Sequence, residues 1–223
     1  MKTQPMTILA TLASAAIALV AASTAIAQEA AAPPAVTPAA AEAAEYLAYA
    51  KCQLCHGPQG HSISPIYPAL AGQKAWYILE QLQFFKAQTR GDPYARGMMW
   101  GMAAQLDDTQ MAALADYFSK QIPFESNPAP LGSAAPPVID RGKSIYNDGV
   151  AATGVAPCSA CHQPDAKGSD QFPRLAGQHA LYLIKQLRAF HSGSRDQAVM
   201  DGIAAPLQEP EINAVSYYLE SLR

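Results

Sequence analysis

Apolar residues recur along this chain with a helical period. Ile78, Leu82 and Phe85 fall on one face, three and four residues apart, and Leu183, Leu187 and Phe190 repeat that stripe further on. Each stripe predicts an amphipathic helix. A shorter helix is expected over residues 43–51 and another over residues 140–146. A closing helix is predicted to start near Asp107, with Gln110 three residues on in a capping-box arrangement; its counterpart carries Pro210 in the first turn, where proline costs little. No stretch alternates with the two-residue period of a strand, so the predicted class is all-α.

The stripes match because the chain repeats itself. Residues 67–90 read YPALAGQKAWYILEQLQFFKAQTR and residues 172–195 read FPRLAGQHALYLIKQLRAFHSGSR, identical at 11 of 24 positions at an offset of 105. Residues 99–118 match 200–219 at an offset of 101, so the first copy holds four extra residues between Arg90 and Met99. Two copies of this size predict duplicated domains rather than a solenoid. The boundaries expected are 44–122 and 138–223, joined by a Pro-rich linker over 123–137 that holds five prolines. Ahead of them, residues 28–43 are an Ala/Pro-rich tail expected to lack fixed structure. Residues 1–27 read as a signal peptide: Lys2, an apolar run from Met6 to Ala22, then the small-x-small site Ala25-Ile26-Ala27. The competing reading is an uncleaved membrane anchor. Export through such a peptide places the mature chain in the periplasm.

Composition narrows the partners. The formal charge is −3, and −4 (14 − 18) once Lys2 is removed. Both signs are spread along the sequence without a basic stripe, which argues against nucleic acid. Half of the residues are apolar, but alanine tracts inflate that share.

All four cysteines lie in two identical spacings. Cys52-Gln53-Leu54-Cys55-His56 and Cys158-Ser159-Ala160-Cys161-His162 are both C-x-x-C-H, at matched places in the repeat. Two thiols three positions apart on one helical turn can reach both vinyl groups of one porphyrin, and the next residue sets an imidazole under the iron. The expectation is two covalent haem c groups. A zinc site would want paired half-sites far closer together, and a redox disulfide would want a βαβ context. For the opposite side of the iron, Met200 is the only methionine of the second copy, seven residues before Leu207; Met99 stands seven before Leu106. Met98 competes with Met99. Met102 and Met111 read as core filler. His179 and His191 align with Lys74 and Lys86 and read as surface or packing residues; His61 reads as an exposed loop residue.

Repetition also selects a surrounding shell. Pro68 and Leu70, like Pro173 and Leu175, follow each motif histidine. A backbone carbonyl there is suited to accept the imidazole Nδ1–H, with the leucines over the haem edge. Tyr77, Arg90, Tyr182 and Arg195 are repeated polar residues with the chemistry to meet propionates; ordinary helix-surface positions are the competing reading.

C-x-x-C-H, then P-x-L-A-G-Q, then Y-x-x-x-Q-L, then a methionine before G-x-A-A-x-L, all twice over, resembles the dihaem cytochrome c4 family across residues 44–223. The resemblance implies two class I cytochrome c-like folds packed together, His56/Met99 and His162/Met200 ligation, and a periplasmic shuttle between a membrane cytochrome complex or dehydrogenase as donor and a terminal oxidase as acceptor. A dihaem electron-transfer subunit of a sulfide, thiosulfate or alcohol dehydrogenase is the alternative, and a dihaem peroxidase a third reading that two methionines argue against. The first copy departs from the family in having Ala43-Ala44 near the glycine of the opening helix. The long Ala/Pro tail also departs and leaves peripheral membrane association open.

Overall fold

A computed structural model describes residues 36–123 and 135–222. The signal peptide, the first half of the Ala/Pro tail and most of the linker lie outside the described residues.

Helix α1, Pro38–Leu47, starts inside the tract expected to lack fixed structure. The Thr37 side chain accepts from the Ala40 N–H at 3.2 Å, and Pro38 occupies the first position, where its missing N–H is no loss. A cap of that kind turns the following alanines, the best helix formers, into a helix. It runs through a π-helical turn, Ala48–Cys52, into α2, Gln53–His56. The half continues with α3, Ala75–Lys86; a π-turn, Ala95–Met99, leading into α4, Trp100–Ala103; and α5, Asp108–Ser119. At α5 the Asp107 carboxylate accepts from the Gln110 N–H at 2.8 Å while the Asp107 N–H donates back to Gln110 at 3.0 Å.

The second half repeats this order as α6, Pro136–Asp148; α7, Ser159–His162; α8, Ala180–His191; α9, Ala198–Ala204; and α10, Glu209–Ser221. Helix α6 begins four residues before the expected start because Pro136 and Pro137 fill its first turn. Helix α10 carries a second capping box, Gln208 with Glu211. No strand occurs among the described residues; Val150 and Val155 form one isolated antiparallel bridge. The all-α class is what the structure shows.

In each half the first and last helices cross and the middle helix closes the core. In the first, Ala44 and Ala48 meet Leu114, Ala115 and Phe118, with Ile78 and Leu82 of α3 beneath. In the second, Ile145 and the fully buried Tyr146 meet Ile212, Val215 and Leu219, with Leu183 and Ile184 of α8. Burial of each of the leucine, isoleucine, valine and phenylalanine side chains contributes about 1.5–3 kcal/mol. Helix α6 approaches α10 closely at Gly142, where a Cβ would lie 2.1 Å from the Ala214 carbonyl oxygen. Both halves fall in one compact unit, Ala32–Arg223.

Candidate functional site

The C-x-x-C-H segments end α2 and α7, and each delivers its histidine to the interior: His56 is 9% exposed and His162 6%. The His56 Nδ1–H donates to the Pro68 carbonyl at 2.9 Å, and the His162 Nδ1–H to the Pro173 carbonyl at 3.0 Å. A carbonyl can only accept, so Nδ1 carries the proton and Nε2 keeps its lone pair. The prolines are placed by the next turn of chain. The Leu70 N–H reaches the Gly60 carbonyl, and the Leu175 N–H the Ala166 carbonyl, both at 2.8 Å. Burial holds both imidazoles below the usual histidine range, against the opposing pull of the proline carbonyls; the Lys185 charge adds to the lowering at His56. Each ring is therefore a neutral nitrogen donor. Burial also pushes the Cys52 and Cys158 thiols up to about 11.

A cavity of about 270 Å³ opens beside the first motif. Cys52, Cys55 and His56 line it on one side; Met98, Met99 and Met102 line it on another; Leu70, Ile78, Leu82, Phe85 and Leu106 make its walls apolar. Two thiols, a neutral imidazole, thioethers and a greasy wall are the donor set and surroundings an iron porphyrin takes, so the residues present fit covalent haem. Met99 is half-buried and packs with both Leu106 in the main core and Phe85, Ala95 and Ala103 in a smaller one, whereas Met98 is 44% exposed. In the second half Met200 lies in the first turn of α9, its N–H donating to the Gln197 side chain at 2.8 Å.

The second half also walls the first cavity. Pro173, Leu175, Tyr182 and Lys185 join Tyr77 and Arg90 on its lining. The repeated tyrosines and arginines are not ordinary helix-surface residues. Arg90 and Arg195, each 6% exposed, form a buried network with near two-fold reciprocity. Arg90 donates to Gln81 of its own half at 2.7 Å and to Gln186 of the other at 2.6 Å. Arg195 donates to Gln186 at 2.7 Å and across to Gln81 at 3.0 Å and the Tyr77 hydroxyl at 2.7 Å. Tyr182 completes the pattern on Arg90.

Two departures break the reciprocity. Arg90 has a buried carboxylate partner, Asp92, at 2.9 Å, and Asp92 lies in the segment between Arg90 and Met99 that is four residues longer than its counterpart. Gln81 donates to Glu80 at 3.2 Å, but the repeat puts Lys185 at the matching place. Gln186 Nε2 is consequently buried with no acceptor among the described residues. Arg195 feels the nearby Glu80 charge but makes no direct ion pair, and a buried guanidinium of that kind beside an orphaned amide donor is suited to a further carboxylate.

Of the remaining histidines, His179 takes the packing alternative of its sequence reading, His191 the surface one, and only His61 departs from its reading as exposed. His179 is buried and bridges the halves, its Nε2–H donating to the Ser62 carbonyl at 2.7 Å; His61 is half-buried against the Ile122 carbonyl at 2.6 Å. His191 is exposed, with Nδ1 on the Ala204 carbonyl at 3.0 Å. Gln73, Gln81, Gln178 and Gln186 enter the sequence reading only as letters of the repeated motifs, with no role assigned to them. A signal existed: all four are identical between the copies, and Gln81 sits within the apolar stripe of Ile78 and Phe85.

Comparison with known proteins adds to this geometry. The cytochrome c family model matches residues 40–121 and again 139–223. Cytochrome c4 of Azotobacter vinelandii is 40% identical over 184 residues, which are 78% of this chain and 85% of that protein. The crystal structure of reduced recombinant cytochrome c4 from Pseudomonas stutzeri superposes with a TM-score of 0.71 at 36% identity, covering 85% of this chain and 100% of that one. A thiosulfate dehydrogenase electron acceptor of Thiomonas intermedia is 34% identical over 76% of this chain and 77% of that protein.

Proposed function

The chain belongs to the cytochrome c family, among the dihaem cytochromes c4, and from that premise we propose how its two halves move electrons. It is an electron carrier with two covalently bound haem c groups. Each haem supplies a one-electron iron couple when bound. Cys52 and Cys55 hold one through thioethers, and Cys158 and Cys161 the other. His56 and His162 would hold the iron through a neutral Nε2, and Met99 and Met200 would supply its sulfur ligands. Methionine opposite histidine favours electron transfer over substrate binding, because no coordination position stays open. Pro68 and Pro173 fix the imidazole rings, while Leu70 and Leu175 exclude water from the edge. Arg90, Arg195, Tyr77 and Tyr182 gather between the halves and hold them together, and their donors would serve the propionates of bound haem.

One observation carries this reading: the same buried, proline-tethered imidazole occurs beside two thiols in both halves. The small-x-small site after the apolar leader supports export to the periplasm, with folded domains that begin at α1, Pro38, and α6, Pro136, a few residues before the expected 44 and 138. No helix among the described residues is long and apolar enough to cross a membrane. The partners are redox proteins, with a membrane cytochrome complex or dehydrogenase as donor and a terminal oxidase as acceptor. The similarity to a thiosulfate dehydrogenase electron acceptor favours a second reading, a dedicated subunit of such an enzyme. Co-purification with a catalytic dehydrogenase chain distinguishes the two.

The ligand assignment is tested by Met99→Ala and Met200→Ala in the holoprotein. Each should abolish the sulfur-to-iron charge-transfer band of one haem and lower that haem's potential. An unchanged band in Met99→Ala together with its loss in Met98→Ala would overturn the assignment in the first half.

A further inference from the structure

The peptide unit that tethers each motif histidine is also the place where the other half docks. In the first half the Pro68 carbonyl accepts the His56 Nδ1–H at 2.9 Å, and the N–H of the same peptide, on Ala69, donates at 2.9 Å to Gln178 of the second half. The Gln178 amide closes the clamp by donating to the Ala69 carbonyl at 2.9 Å. The mirror arrangement is complete. The Pro173 carbonyl accepts from His162 at 3.0 Å, the Arg174 N–H donates to Gln73 of the first half at 2.8 Å, and Gln73 donates to the Arg174 carbonyl at 2.9 Å. Gln73 and Gln178 are 8% and 7% exposed, so water does not compete for these bonds.

The clamp uses only backbone atoms of the residue it grips. That accounts for Ala69 facing Arg174 at this repeat position while the two glutamines are identical.

We infer that Gln178 and Gln73 are positioning residues that tune the iron ligand of the opposite half, Gln178 acting on His56 and Gln73 on His162, each through one shared peptide bond. The inference rests on the assignment of both histidines as iron ligands. Its physics is the polarisation of an amide. An acceptor on the N–H strengthens the partial C–N double bond and moves negative charge to the carbonyl oxygen. That oxygen then pulls harder on the Nδ1–H, and the imidazole becomes a stronger donor to the metal. A stronger donor favours the ferric state. Docking of the halves and the potential of each haem are thereby linked, and the link crosses the interface.

The test is a redox titration of the dihaem protein with each haem followed by its own NMR resonances. In Gln178→Leu the haem attached at Cys52 and Cys55 should shift about threefold toward the ferrous state, about 28 mV at 59 mV per tenfold for one electron. The His56 ring N–H resonance should move with it, and the other haem should change less. Gln73→Leu should do the reverse. Gln178→Glu keeps an acceptor on the Ala69 N–H, and with more charge, so it should shift the same haem toward the ferric state. A larger shift at the haem of the glutamine's own half, equal shifts at both, no shift, or the same direction for leucine and glutamate would overturn the inference. Loss of histidine ligation in the unmodified protein would instead overturn the ligand assignment, and the two failures are told apart by the spectrum before any substitution.

Discussion

In the first half the residue after the motif histidine is Gly57, at φ 74° and ψ 166°; in the second it is Gln163, at φ 70° and ψ 156°. The backbone is the same and the residue is not. At Gly57 a Cβ would lie 1.9 Å from the His61 carbonyl oxygen, so only glycine fits. Gln163 is exposed, and its carbonyl accepts from Tyr146, so the second half holds a conformation nearly reserved for glycine by tying it down. The opening helix shows the reverse. There the second half has Gly142 and its close crossing, while the first has the buried Ala44 and a π-turn before the motif. What the duplication preserved is the path of the chain around the imidazole. Residue identity was free to drift wherever another contact could hold that path.

Charge separates the halves further. Arg90 is paired with Asp92, which is 1% exposed, whereas Arg195 has hydroxyl and amide acceptors. Arg90→Met strands a buried carboxylate and should cost about 4 kcal/mol. Arg195→Met strands only neutral acceptors and should cost about 2 kcal/mol. Denaturant unfolding of the two variants reads the difference directly, and adding Asp92→Leu to Arg90→Met should recover much of the loss. Equal losses from the two arginines would show that Asp92 does not set them apart.

A smaller effect is expected at the strained position. Gln163→Gly should stabilise the protein by about 1 kcal/mol, the relief of strain outweighing glycine's extra freedom in the unfolded chain. A rise in the melting midpoint checks it, and a fall would mean that the Gln163 side chain contributes more than its backbone costs.

The sequence made much of this legible. The stripe of Ile78, Leu82 and Phe85 and the Asp107–Gln110 box are local patterns, and they reappear as α3 and the start of α5. The start of α1 was hidden, because an Ala/Pro tract reads as a tether until Thr37 and Pro38 are recognised as cap and first turn. The network between the halves was hidden for a different reason. Gln186 meets Arg90 across 96 positions of sequence, and Lys185 lies over the Tyr94 ring, 3.5 Å from its centre. Periodicity sorts polar residues to the surface and carries no information on partners so distant. Lys185, whose pKa burial pushes down to about 8, looks from sequence like any solvated helix lysine.

Electron transfer through both halves requires that each carry its own covalent haem. Peptide mass spectrometry of the denatured, digested protein tests that most directly. Haem mass should remain on the peptide containing Cys52 and Cys55 and on the one containing Cys158 and Cys161. A free-thiol peptide at either motif, in protein made by a host with haem-maturation machinery, would contradict it.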